Sequence, residues 1–278
     1  MKDLYKIFIL YVLVMIGDPV FVNCQNIIGS LNNASSNSMG GVSSAYLDIR
    51  GLAANPASIG SINSFQGYVF TDQRFGLKEL SSYSLGVAIP THSGAFGISF
   101  GRYGFNIYNE NFFAASYSRK LLTNLTIGGG IEYQYFNIQD YGNKGLFGFQ
   151  LGLTSTVTST TTLFFSVSNP NRPKINEDDQ LPAIFNFGGI YKPGEKVYLR
   201  AEFSKTLENK EDFRFGIEYL PASKFIIRLG GHTSPAQYSF GFGITPWDKF
   251  LIEASTKYDA HLGFLPGVGV SYGIIYTK

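Results

Sequence analysis

Lys196-Val197-Tyr198-Leu199-Arg200-Ala201-Glu202-Phe203 sets Val197, Leu199, Ala201 and Phe203 on one side of the chain and Tyr198, Arg200 and Glu202 on the other. Alternation with a period of two is the mark of a β-strand, because successive side chains leave a strand on opposite faces. The same pattern recurs in short segments from Phe65 to Thr277. One face is apolar and rich in aromatics; the other carries Gly, Ser and charges of both signs. A soluble sheet buries the first face and wets the second. A transmembrane barrel turns the first face to lipid and keeps the second in its lumen.

Composition favours the barrel. Charged residues are 15% of the 278, well below the roughly 25% of soluble domains, while aromatics reach 16% and there are 32 glycines. Mean hydropathy is only +0.03, which excludes a helical membrane protein. An alternating strand has just this signature, since its two faces cancel in any average. With 22 basic and 20 acidic residues, no clustered basic face points to nucleic acid.

Fourteen segments have the length of a tilted membrane strand: 65–72, 82–90, 94–103, 110–120, 124–138, 143–157, 160–169, 182–192, 195–206, 211–220, 224–233, 236–245, 248–258 and 267–277. Every second connection is tight: Pro90–Gly94, Leu121–Asn124, Thr158–Ser159, Pro193–Gly194, Pro221–Ser223 and Pro246–Trp247. The others tend to be longer and more polar, notably Asp72–Glu79, Asn169–Pro182, Thr206–Lys210 and Asp259–Pro266, with Ser234–Pro235 a short exception. Short periplasmic turns alternating with longer external loops, an even strand number and both termini in the periplasm describe an outer-membrane barrel. The fold class is therefore all-β, a transmembrane antiparallel barrel of about 14 strands at 65–278. Trp247 and the strand-end Tyr103, Tyr191, Tyr219, Tyr258 and Tyr276 suit the headgroup boundary.

The first 24 residues read as a signal peptide. Lys2 and Lys6 precede a short apolar run, Ile7 to Ile16, and Gly17-Asp18-Pro19 breaks it before Val22-Asn23-Cys24-Gln25. Cleavage near Cys24 leaves a mature chain without cysteine; the alternative, a lipid-modified Cys24, follows an unfavourable Asn23. Residues 25–64 lack alternation and include Asn55-Pro56-Ala57, where Pro56 opposes a continuing helix. A bore of about fourteen strands is wide enough to need an occupant or a gate, and this segment is the candidate plug.

With the apolar face outward, Glu132, Gln134, Gln150, Asn186, Arg200, Glu202, Arg214, Glu218, Arg228, Glu253 and Lys257 point inward. The hairpin closing at Thr206–Glu211 brings Arg200 opposite or diagonal to Glu218, and Glu202 to Arg214, within pairing reach. Arg228 and Glu253 extend that wall. Glu132, Arg200, Glu202, Arg214, Glu218, Arg228 and Glu253 thus form the candidate lumen charge network, either a set of structural pairs or a contact surface for a plug or permeant. Charge placed at outward Phe215 is expected to cost more than charge at inward Gly216.

Catalysis finds no support. His92, His232 and His261 have no metal-ligand spacing. His232-Thr233-Ser234 has the His-x-Ser spacing of an outer-membrane phospholipase, but no Asn follows to orient the imidazole. Glu177-Asp178-Asp179 lacks a calcium-loop pattern. Gly128-Gly129-Gly130 and Gly267-Val268-Gly269 fall inside strands, as small residues facing a lumen rather than phosphate cradles. The expectation is no enzyme, no metal and no cofactor.

Gly40-Gly41 followed by Tyr46, then Leu52-Ala53-Ala54-Asn55-Pro56-Ala57-Ser58, resembles the N-terminal stretch of the FadL-like barrels and is most similar to the PorV/PorQ family. Leu181-Pro182, Phe215-Gly216-Ile217-Glu218-Tyr219, Leu229-Gly230-Gly231, Phe240-Gly241-Phe242-Gly243, His261-Leu262-Gly263 and Val268-Gly269-Val270-Ser271-Tyr272 continue the likeness. The resemblance implies a fourteen-stranded barrel with an N-terminal hatch holding Gly40, Gly41, Asn55, Pro56 and Ala57. It departs at Ser58, where the family has Gly, and at Lys278, where a barrel's last strand ends in an aromatic. The leading expectation follows the PorV/PorQ proteins, for which the resemblance implies type IX secretion, hence export or surface attachment through secreted proteins or secretion-machinery subunits. For FadL proteins it implies a passive channel for small hydrophobic compounds. A structural barrel without transport is a third reading. In each the partners include outer-membrane lipid and exclude nucleic acid.

Overall fold

The computed structural model describes residues 33–74, 76–177, 179–207, 210–259 and 263–274. The signal-peptide residues, Cys24, His261 and Lys278 lie outside them.

Fourteen strands form one closed antiparallel barrel. They are β1 Gln66–Gln73, β2 Ser81–Thr91, β3 Gly94–Gly104, β4 Tyr108–Leu122, β5 Leu125–Ile138, β6 Gly142–Thr156, β7 Thr161–Ser168, β8 Ile184–Gly194, β9 Val197–Thr206, β10 Asp212–Ala222, β11 Phe225–Thr233, β12 Ala236–Trp247, β13 Phe250–Asp259 and β14 Gly263–Tyr272. Each strand pairs with its sequence neighbours, and β1 closes on β14 with Val69 opposite Val270. Closure removes the unpaired strand edges that lipid cannot solvate. No described helix is long and apolar enough to cross a membrane.

The alternation read from Val197–Phe203 reports a real difference of faces. Along β10 and β11, Phe213, Phe215, Ile217, Tyr219, Ile227 and Leu229 are exposed, while Glu218 and Arg228 are buried. Large apolar side chains therefore cover the outside and polar ones line the inside, the reverse of a water-soluble sandwich. At the end carrying the tight turns, Trp247 packs on Phe250 at 5.8 Å, and Phe250 on Tyr272 at 5.1 Å. These rings form an aromatic cluster at that rim. Tyr191, Tyr219 and Tyr258 also face outward, but Tyr103 is buried beneath Arg74, 5.2 Å from its ring. Tyr103 is thus an inward residue, set by its place opposite Ser82 and Glu110 in the ladder.

Most strand ends lie within two residues of expectation, and β14 departs most. β14 starts at Gly263, so Phe264, Leu265 and Pro266 belong to the strand and not to a long loop. Pro266 lies opposite Thr256 in the ladder, although proline inside a strand ordinarily argues against one.

Residues 33–64 lie inside the barrel. A one-turn helix, α1 (Ala34–Asn37), is closed by a capping box in which Asn33 accepts from Ser36 N and Ser36 Oγ accepts from Asn33 N. Short 3-10 turns follow at Ile49–Gly51 and Pro56–Ile59. Ala34, Ile49, Leu52 and Ile59 join Tyr68, Phe70, Ala88, Ala95 and Leu251 of the wall in the main apolar core.

Candidate functional site: the occupied lumen

Asn55-Pro56-Ala57 explains its own geometry. Asn55 Oδ1 accepts from Ala57 N at 3.0 Å and Pro56 opens the 3-10 turn. An Asx cap followed by proline is a local device for starting a helical turn, because proline has no N–H to leave unsatisfied. The turn rests on Gly128 and Gly152: a Cβ at Gly128 would meet Pro56 and Ala57 backbone, and one at Gly152 would meet the Asn55 side chain. Glycine there permits backbone to approach backbone. Ser58 packs on Gly51, which has no room for a side chain facing it.

Gly40 and Gly41 both have positive φ, at 68° and 79°. They sit further along the lumen, where Met39 and Gly40 lie against Gly216, Gly230 and Gly231. Gly216 is therefore not an open lumen position: a Cβ would stand 2.6 Å from Met39. A charge placed at Gly216 therefore meets a filled lumen and carries an overpacking cost of its own.

The wall charges form two connected groups. In the first, Arg228 Nε lies 2.6 Å from Glu218 Oε2 and Arg228 Nη1 lies 2.6 Å from Glu253 Oε1. Arg200 Nη1 reaches Glu218 Oε1 at 3.2 Å, diagonally across the ladder that sets Arg200 opposite Gly216. In the second, Glu202 and Arg214 are directly opposed and joined at 3.1 Å, and Arg214 Nε bonds Asp212 at 2.7 Å. Asp212 stands 3.4 Å from His232 Nδ1, and His232 Nε2 is 3.0 Å from Gln237 Oε1. His232 is thus bonded to Gln237, with Asp212 beside its other ring nitrogen. Glu132 stands apart on β5 with amide partners only.

Both groups grip residues 33–64. Glu202 Oε2 accepts from Ser43 N at 3.1 Å and Ser44 N at 2.8 Å, and Arg214 Nη1 donates to Gly41 O at 3.3 Å. Arg200 Nε donates to Ala45 O at 2.8 Å. Ser35 Oγ donates to Glu253 Oε1 at 2.5 Å, Asn37 Nδ2 to Ser255 Oγ at 3.1 Å. Arg50, clamped by Asp48 at 2.7 Å, donates to Ser35 Oγ at 3.2 Å and stands 3.9 Å from Glu218. Tyr46 lies between two guanidinium groups, Arg200 at 4.5 Å and Arg50 at 4.8 Å from its ring centre. Such stacking is attractive because a ring face is electron-rich. Burial pushes the Tyr46 phenol above its usual range, so the hydroxyl keeps its proton and donates to Met39 Sδ at 3.5 Å.

Sequence reading missed Arg50, Asp48 and Tyr46 as members of this site. A signal was available: Asp48 and Arg50 are the only charged residues between Gln25 and Ser64. Among the described residues, no backbone–backbone hydrogen bond joins residues 33–64 to the strands. The segment is held through side chains and packing.

At the loop-bearing end a second apolar cluster fills the mouth. Phe112, Ala114, Phe136 and Leu146 of the wall pack with Leu181, against which Ile175 also rests. Leu181 and Ile175 come from the connection between β7 and β8, which bends back so that Leu181 N donates to Pro173 O at 2.9 Å. The site has the means to hold a segment and to seat apolar surface. No group of three acidic, histidine or cysteine side chains able to hold a metal occurs among the described residues.

No family model and no curated protein matches the chain. Solved structures do. The toluene transporter TbuX of Ralstonia pickettii aligns over 89% of this chain and 99% of its own, with 12% identity and a TM-score of 0.69. The toluene transporter TodX of Pseudomonas putida aligns over 89% and 99%, with 13% identity and a TM-score of 0.66. A FadL homologue of Pseudomonas aeruginosa aligns over 87% and 98%, with 12% identity and a TM-score of 0.65. At this identity the likeness shows the fold alone, a closed antiparallel β-barrel shared with these structures.

Proposed function

We propose that this protein is a FadL-like barrel that lets small hydrophobic compounds cross the outer membrane, with residues 25–64 as a plug. The observation that carries the reading is the way the lumen is closed. Among the described residues, no backbone–backbone hydrogen bond ties 33–64 to the wall, and the segment is held by wall side chains and by packing. Such contacts exchange for others without opening the barrel ladder. The apolar mouth supports the same reading, because Phe112, Phe136 and Leu146 offer an oily seat that Leu181 now occupies. The fold relatives are described as toluene transporters and a monoaromatic hydrocarbon channel. On this reading residues 1–24 direct export and are removed, both barrel ends face the periplasm, and membrane lipid covers the outer face. The protein is not an enzyme and needs no cofactor.

A second reading is a PorV/PorQ-type barrel serving type IX secretion by contact with partner proteins. The specific observation in its favour is the stretch Gly40, Gly41, Asn55, Pro56 and Ala57, together with connections at the mouth as short as Ser234–Pro235. One comparison separates the two. Cells lacking the protein are assayed for uptake of a labelled monoaromatic hydrocarbon and for secreted proteins retained in the periplasm. Reduced uptake with normal secretion supports the channel. Normal uptake with trapped secreted proteins overturns it in favour of export.

A further inference from the structure

Glu132 is the odd carboxylate of the lumen. Glu202, Glu218 and Glu253 each have an arginine within 3.2 Å. None of the ion pairs among the described residues includes Glu132, although it is only 1% exposed. Its neighbours are amides. Gln134 Nε2 donates to Oε1 at 3.0 Å, Gln150 Nε2 donates to Oε2 at 2.6 Å, and the Asn169 amide makes a further polar contact.

Amide donors stabilise the ionised carboxylate but leave its charge uncancelled. They also leave a debt of their own. Gln150 Oε1 and Asn169 Oδ1 are buried and have no hydrogen-bond partner. A buried acceptor without a donor is costly and calls for a ligand or water. Gly148 lies directly opposite Glu132 in the β5–β6 ladder. A Cβ there would clash with both Asn169 Oδ1 and Glu132 Oε1, so these two acceptor oxygens converge over the bare Gly148 backbone.

We propose that Glu132, Gln150 and Asn169 form a binding site for a monovalent hard cation, sodium or potassium. The donors are all oxygen, which suits hard cations and not zinc or copper. One carboxylate supplies one negative charge, so a monovalent ion leaves the site neutral, where a buried uncompensated charge is strongly unfavourable. The site reaches residues 33–64 as well, because Gln150 Nε2 also donates to Ala53 O at 3.2 Å. Cation occupancy therefore steadies the wall on which the Asn55-Pro56-Ala57 turn rests. This inference rests on the barrel geometry and is independent of what the barrel transports.

The test is thermal unfolding of the purified full chain in detergent, followed by circular dichroism, as sodium or potassium chloride replaces choline chloride at constant ionic strength. The expected result is a saturable rise in midpoint, on the order of 2–4 °C, absent in Glu132→Gln and diminished in Asn169→Ala. A wild-type midpoint that ignores the exchange means that a carboxyl proton, not a cation, joins these oxygens, and overturns the site. So does an equal rise in Glu132→Gln. If that variant does not fold, an undiminished response in Asn169→Ala overturns it instead.

Discussion

Glu218 and Arg228 face each other across the β10–β11 ladder, and the Arg228 Nε stands 2.6 Å from the Glu218 carboxylate with both side chains fully buried. Each also has another partner, Arg200 for Glu218 and Glu253 for Arg228. Removing one member leaves the rest as buried charge without compensation. Arg228→Met is expected to cost about 3–5 kcal/mol, and Glu218→Gln a similar amount. The double variant should cost clearly less than the sum. Urea unfolding in lipid bilayers measures all three; strict additivity would show that the network is not energetically coupled. The Arg200→Ala and Glu218→Ala pair should be non-additive for the same reason.

Gly128 and Gly129 are adjacent but answer to different surroundings. A side chain at Gly128 meets Pro56 and Ala57, whereas a Cβ at outward Gly129 comes no nearer than 3.6 Å to the Leu151 side chain. Gly128→Leu should leave a folded barrel whose residues 33–64 are cut by added protease, while Gly129→Ala stays protected. Equal protection in both variants would remove the contact from the account.

Phe215 and Gly216 test the two faces. Lysine at Phe215 should destabilise by about 2–4 kcal/mol near the bilayer midplane. Gly216→Ala should also cost, about 1–3 kcal/mol, through overpacking against Met39. Adding Met39→Gly, which removes both the Cβ and the Cε that stand 2.6 Å from the new methyl, should recover part of the Gly216 loss and none of the Phe215 loss. Thermal unfolding of the four variants gives the answer, and a Met39 change that rescues neither contradicts the packing.

Arg50 is a residue of the occupant and not of the wall, so its loss separates closure from folding. Arg50→Ala breaks the clamp with Asp48, the bond to Ser35 and the stack on Tyr46. The barrel ladder is untouched. The expected outcome is an unchanged β spectrum with faster amide exchange confined to residues 33–64; exchange spread over the strands would mean that Arg50 supports the wall itself.

Much of this was legible because a strand writes its two faces into alternate residues. Val197 to Phe203 gave away the lipid face, and the Glu202–Arg214 and Arg200–Glu218 pairs followed from hairpin register alone. Gly128 and Gly152 were readable as small lumen residues, but their reason lies in Asn55-Pro56-Ala57, some seventy to a hundred residues away. No local pattern reports a contact of that separation. Arg50 and Tyr46 were obscured because their segment has no period. β14 was started too late because Pro266 resembles a loop residue, although it occupies a strand position. The isolation of Glu132 depends on Asn169, which arrives from the far end of β7 and could not be inferred from spacing.

On the proposed function, the lumen opens when residues 33–64 move. Asn37 Nδ2 and Ser255 Oγ are 3.1 Å apart, so Asn37→Cys with Ser255→Cys places two thiols where oxidation ties the segment to β13. The decisive measurement is uptake of a hydrophobic fluorescent probe by proteoliposomes containing this double variant, oxidised and then reduced. Uptake should be blocked on oxidation and restored by reductant to the wild-type rate. Equal uptake in both states, or none in the wild-type protein, would contradict it.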